Sequence, residues 1–146
     1  MSDTDTDFDF AGLVYADEAE FAIADPKGKA TAWRVRMAGP GHAASVAFRE
    51  TRTALARRIA AERDYALAKG RQWEAPDAAA EQAQFAREFA PRVLGWSPVR
   101  FSGADFPYSL ANVEKLLTDP KYSFVGAQLI EFGGKSDDFF AKPAKS

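Results

Sequence analysis

Residues 19–37 read AEFAIADPKGKATAWRVRM, and the fold turns on whether this stretch is one helix or two strands. Phe21 and Ile23 alternate with small residues, and Trp33, Val35 and Met37 alternate with alanine or arginine. A period of two is the pattern of a strand with one buried face. Between the two runs, Asp25-Pro26-Lys27-Gly28 has turn chemistry: Pro26 presets φ, and Gly28 accepts the positive φ that a tight reversal needs. The stretch therefore predicts a β-hairpin over 20–38, stopped by Gly39-Pro40-Gly41.

Beyond the hairpin the period lengthens. Phe48, Leu55, Ile59 and Ala66 recur at helical spacing, with Arg49, Arg52, Arg57 and Arg63 largely off that stripe. This predicts an amphipathic helix over 43–69, with Gly70 as its stop. Asp77 can cap a second helix over 77–94 that carries Phe85, Phe89 and Val93, although Pro91 must kink it or end it nearby. Pro98 and Pro107 bracket Ser102-Gly103-Ala104-Asp105, a turn between short extended pieces. Ser109 caps a helix over 110–118 that turns Val113, Leu116 and Leu117 inward. Asp119-Pro120 opens a last helix over 120–132, which Gly133-Gly134 ends. The class is α+β: a mainly helical domain with an N-terminal β-hairpin. A chain of 146 residues fits a single domain. That domain is expected over 13–146, after a flexible acidic arm over 1–12 and with a short flexible tail over 135–146.

Charge is unevenly spread. The first 25 residues hold eight acidic side chains and no basic one, whereas 49–71 hold seven basic side chains against Glu50, Glu62 and Asp64. The expected role is a solvated arm and a solvated helix face that attract each other weakly. An apolar share of 47% argues against wholesale disorder. A formal net charge of −2 gives no general drive toward nucleic acid or membrane. The acidic, polar start is the reverse of a signal peptide, and no apolar run reaches the length of a membrane span.

Candidate chemistry is sparse. With no cysteine there is no disulfide, thiolate metal site or cysteine nucleophile. The single histidine, His42, sits at a glycine-rich boundary before a helix, where capping residues lie. A metal site would have to be all carboxylate, and neither Asp3–Asp9 nor Asp137-Asp138 has the spacing of a calcium loop. Gly133-Gly134-Lys135-Ser136 has the end of a phosphate-binding loop, but Leu129 stands where the first glycine belongs and two aspartates follow. The arginine-rich helix lacks interleaved aromatics, so nucleic-acid binding is not expected. The sequence thus predicts no catalytic residue, no cofactor and no metal. What stands out is aromatic: Trp96, Phe101, Phe106, Tyr108, Phe139 and Phe140 lie in connectors or the tail. Rigid aromatics on loops are typical partner anchors, and these six are the candidate partner-binding residues. The competing role is to fold back and fill gaps between helices, which suits Trp96 best. Phe139 and Phe140 either dock on a partner or a neighbouring copy, or pack on their own chain.

The order of these features resembles a known family. The turn Asp25-Pro26-Lys27-Gly28, Gly39, Phe48 opening a basic helix, Val93-Leu94-Gly95-Trp96-Ser97-Pro98-Val99, Gly103, Pro107-Tyr108-Ser109, Asn112, Leu116-Leu117, Gln128-Leu129-Ile130 and Asp138-Phe139-Phe140 together resemble the tail assembly chaperones of long-tailed bacteriophages. The resemblance runs from about Phe21 onward and is most specific over 93–117. It implies a non-enzymatic protein that binds the tail tape measure protein, keeps it soluble and helps bring major tail tube subunits to it. It also implies action in the host cytoplasm, absence from the finished virion, and, in many relatives, a second longer form made by frameshifting. The acidic arm before Phe21 is longer than the family pattern, and 71–80 has no counterpart in it. The alternative is a structural minor tail or tail-completion protein that self-associates into rings and stays in the virion.

Overall fold

The computed structural model describes residues 7–140. Its hairpin consists of β1 (Glu18–Ala24) and β2 (Ala30–Ala38), antiparallel in a register that pairs Glu18 with Ala38 and Ala22 with Arg34. The Asp25 carboxylate closes the turn by accepting from the Lys27 and Lys29 N–H groups at 2.9 and 3.0 Å, and Gly28 takes φ 84°. An aspartate that folds back on its own turn, followed by a left-handed glycine, fixes the reversal locally. The alternating apolar residues of both strands share one face, where Val35 and Met37 are fully buried.

A third strand completes the sheet. α2 (Ala78–Phe89) is capped by Asp77, and a 3-10 turn over Ala90–Arg92 follows it. The chain then extends as β3 (Val93–Trp96), antiparallel to β2, giving the order β1-β2-β3. The helix expected to reach residue 94 therefore stops at Phe89. Pro91 has no N–H to continue the ladder, and its ring crowds the carbonyl one turn back. Freed from the helix, Val93–Trp96 bonds to the open side of β2.

α1 (Ala43–Ala68) starts at His42, whose Nδ1 accepts from the Ala44 N–H at 3.0 Å. Phe48, Leu55, Ile59 and Ala66 are half-buried along one stripe, yet only Ser45 of this helix is fully buried. A small hairpin, β4 (Arg100–Phe101) and β5 (Ala104–Asp105), precedes α3 (Leu110–Thr118), which Ser109 caps. The last predicted helix splits into a 3-10 turn over Pro120–Tyr122, capped by Asp119, and α4 (Ser123–Gly133). The tail differs from expectation as well. Ser136–Phe139 forms a 3-10 turn that buries Phe139 against Phe21, because an aromatic ring gains more inside the core than in water. At the other end, Phe10–Leu13 forms a 3-10 turn capped by Asp9, inside the arm expected over 1–12. Residues 1–6 of that arm and 141–146 of the tail lie outside the described residues.

The core lies between the inner sheet face and α2, α3 and α4, and contains Ile23, Val35, Met37, Phe89, Val93, Val113, Leu116, Leu129 and Phe132. α3 and α4 approach so closely at Gly126 that an added Cβ would overlap the Leu116 carbonyl oxygen. Replacing a mid-helix glycine by alanine ordinarily stabilises by about 1 kcal/mol. Here Gly126→Ala is expected to destabilise by about 1–3 kcal/mol, because backbone must move to admit the methyl group. Urea denaturation of the two proteins gives the sign directly; a more stable variant would show that the helices do not pack at this distance.

Candidate protein-docking surface

The structure separates the six candidate anchors. Trp96, Phe106 and Tyr108 form one cluster: Trp96 stacks on Phe106 with centroids 5.8 Å apart and meets Tyr108 edge-on at 5.3 Å. The Trp96 indole N–H donates to the Phe106 carbonyl at 3.1 Å, and the Tyr108 hydroxyl donates to the Val93 carbonyl at 2.7 Å. Burial raises the Tyr108 pKa from its ordinary value, only partly offset by Arg36. These rings join the connector to the sheet. Their outer edges still line an open groove of about 320 Å³ with Pro98 and Pro107.

The other three divide between core and surface. Phe139 is 1% exposed, and its ring packs at 5.5 Å from Phe21. Phe140 is half-buried and stacks on Tyr15 at 4.8 Å. Phe101 is 43% exposed at the tip of the β4–β5 hairpin, edge-on to Tyr122 and beneath the Lys121 ammonium. A folded chain can therefore offer Phe101, and the rims of Trp96, Phe106, Tyr108 and Phe140, but not Phe139.

A stronger apolar surface begins within the acidic arm expected over 1–12 and runs on to Val14. Phe8, Phe10, Leu13 and Val14 are 71, 66, 66 and 50% exposed, all within seven residues. Asp9 caps the turn that presents them by accepting from the Ala11 N–H at 3.0 Å. The segment is held to the body by the Ala16 N–H, which donates to the Phe139 carbonyl, and by the Tyr15–Phe140 stack. Single exposed apolar residues are ordinary, whereas several large ones in sequence mark a contact surface. The signal was present in the sequence as Phe8, Phe10, Leu13 and Val14, but the run of aspartates ending at Asp9 masked it.

Several polar groups that the sequence singles out have structural contacts. His42 caps α1, and Arg52 bonds Glu88 at 3.1 Å and Glu81 at 3.5 Å, tying α1 to α2. Gly133-Gly134 ends α4, and the Lys135 ammonium pairs with Glu131 at 3.3 Å. Among the described residues no group of three or more histidine, aspartate or glutamate side chains is placed to hold a metal ion, and no helix is long and apolar enough to cross a membrane. No protein-family model, curated protein or solved structure matches the chain.

The division between core and surface predicts a stability contrast. Trp96→Ala and Phe139→Ala should each cost about 3–5 kcal/mol. Phe10→Ala should change stability by less than about 0.5 kcal/mol, as for a surface position without partners. Chemical denaturation of the three variants decides the matter, and a large loss at Phe10 would mean that its turn is part of the core.

Proposed function

We propose that this protein is a tail assembly chaperone of a long-tailed bacteriophage. On this reading it binds and solubilises the tape measure protein, helps recruit tail tube subunits during assembly in the host cytoplasm, catalyses no reaction and leaves before the virion is complete. The order and spacing of residues from Asp25 to Phe140 support the family. The observation that carries the mode of action is the run Phe8, Phe10, Leu13 and Val14, each half or more exposed on or beside the turn Phe10–Leu13.

A tape measure protein is a long helical partner whose apolar faces aggregate when bare. A chaperone for it needs apolar anchors outside its own core and many copies acting along one chain. Short apolar segments fit grooves between helices, and weak contacts repeated along one partner bind strongly through effective concentration. Asp7 and Asp9 flank the anchors with negative charge, which keeps the free turn hydrated and favours basic stretches of the partner. The half-buried rims of Trp96 and Phe106 offer a second, shallower contact.

The test is co-expression with the tape measure protein encoded beside it. The wild-type chain should carry the partner into the soluble fraction in several copies per partner. The triple variant Phe8→Ser, Phe10→Ser, Leu13→Ser should lose that activity while keeping its thermal midpoint within a few degrees, since no core residue is touched. An insoluble partner, together with rings of this chain alone or its presence in purified virions, would replace this reading with a structural tail component.

A further inference from the structure

The strand order leaves two edges, and they are treated differently. The edge at β3 is short and is met by side chains: the Tyr108 hydroxyl bonds the Val93 carbonyl, and Arg36 Nη2 donates to the Leu94 carbonyl at 3.1 Å. The edge at β1 is seven residues long. The Gly39 N–H donates to the Asp17 carbonyl at 2.7 Å, so Asp17, Ala19 and Phe21 direct their backbone groups toward β2. The alternate residues Glu18, Glu20 and Ala22 direct theirs outward.

Both ends of this outward row are closed. Ala16 donates to the Phe139 carbonyl. At the far end the Ala24 N–H donates to Gln128 Oε1 at 2.8 Å, and its carbonyl accepts from Gln128 Nε2 at 3.1 Å. Between them, the N–H and C=O groups of Glu18, Glu20 and Ala22 have no hydrogen-bond partner among the described residues. An open groove of about 690 Å³ runs along this row, with Asp138 and Phe140 on its opposite side. Natural sheet edges are usually blocked by lysine, proline or a bulge. Here the bulge follows Ala22, leaving the middle of the strand open.

The charge around the groove selects the occupant. Glu20 and Asp138 line it without an ion-pair partner among the described residues, while Glu18 shares Arg36 at 3.4 Å. The nearby cations, Arg34 and Arg36, lie one strand further in, on β2. We infer that the open edge of β1 accepts an extended, lysine- or arginine-bearing segment of a partner protein as a fourth strand. Main-chain bonds to Glu18, Glu20 and Ala22 supply the pairing, and the carboxylates supply the preference. A second copy pairing β1 with β1 brings the Glu18–Glu20 carboxylates of both chains together, which opposes it. The chain's own C-terminal end is directed elsewhere: Phe140 pairs antiparallel with Tyr15, a direction leading away from Ala22. This inference stands apart from the proposed role and does not require it.

The experiment follows amide hydrogen exchange of the full chain by NMR with three blocked heptapeptides. The first is Thr-Lys-Val-Lys-Val-Lys-Thr, the second carries N-methyl groups on the amides that would face β1, and the third has glutamate in place of lysine. With the first peptide, exchange at Glu18, Glu20 and Ala22 should slow by about tenfold or more, as for amides newly locked in a ladder. The other two peptides should leave it unchanged. Glu20→Lys, a surface change, should weaken binding about twofold to fivefold. Unaltered exchange at these three residues with the lysine peptide would overturn the proposal. So would equal binding of the N-methylated peptide, since charge alone would then explain it. Protection of the same amides in the free protein, with the mass of a dimer, would assign the edge to a second copy instead.

Discussion

Arg92 is a buried cation with no ion-pair partner among the described residues, and the surrounding elements are arranged around its guanidinium. Nε donates to Ser45 Oγ at 3.2 Å, and Nη2 donates to the Gly133 carbonyl at 2.9 Å. Its charge lies over the Phe48 and Phe89 rings at 5.2 and 5.3 Å. Burial, and secondarily the nearby Arg49 charge, lower its pKa from the usual arginine value. Taking a charge out of water is costly unless each of its donors finds a partner. Ser45 completes the chain by donating to the Ala38 carbonyl at 3.3 Å, so the end of β2, the start of α1, the end of α2 and the end of α4 converge on one side chain. The alternative of letting Arg92 turn outward would leave Ser45 and the Gly133 carbonyl without a donor from this side chain, beneath two aromatic rings.

That convergence explains why the segment after α2 is extended. With Arg92 held by α1 and α4, Pro91 keeps the helix from continuing past Phe89, and β3 begins at Val93, against β2. The Arg36 side chain crosses over Gly95 there, with Nη2 2.9 Å from where a Cβ would stand. Trp96 then falls on the inner face opposite Val35 and meets Trp33 edge-on at 5.7 Å. The Trp33 indole N–H, buried in this cluster, has no acceptor among the described residues. Such a group costs about 1–3 kcal/mol, an expense borne by the dense aromatic packing around it.

The parts of this fold that were legible in the sequence are those whose cause is local. The hairpin shows its period of two and carries its turn in four residues, and Asp77 and Ser109 cap helices within one turn of themselves. β3 was hidden because Phe85, Phe89 and Val93 continue a helical spacing, while the partner that makes Val93–Trp96 a strand is β2, remote in sequence. Whether Phe139 docks or packs stayed open in the sequence for the same reason: its pocket is made by Phe21 and Gly39, and nothing next to Asp138 announces it. The candidate surface was only partly legible. Aromatics in short connectors suggested anchors, yet a small α+β domain needs such rings to fill the corners between sheet and helices. Phe8 and Phe10 suggested part of a solvated arm because Asp7 and Asp9 alternate with them, although charge at alternate positions does not bury the residues between.

The two ends of the described chain meet at β1, and this couples surface to core. Gly39 lies beneath that junction, with Phe139 3.2 Å from where its Cβ would stand and the Ala16 carbonyl oxygen closer still, so there is no space for a side chain or for slack in the backbone. Phe139 is at once a core residue beside Phe21 and the acceptor for the Ala16 N–H. The exposed turn Phe10–Leu13 is therefore hung from the residue that seals one corner of the core. It presents apolar side chains to solvent while its root is fixed, which lowers the conformational entropy that a binding segment loses on docking. Pulling the root free would break that bond and uncover a buried ring, so the turn stays in place by the same packing that keeps the sheet closed.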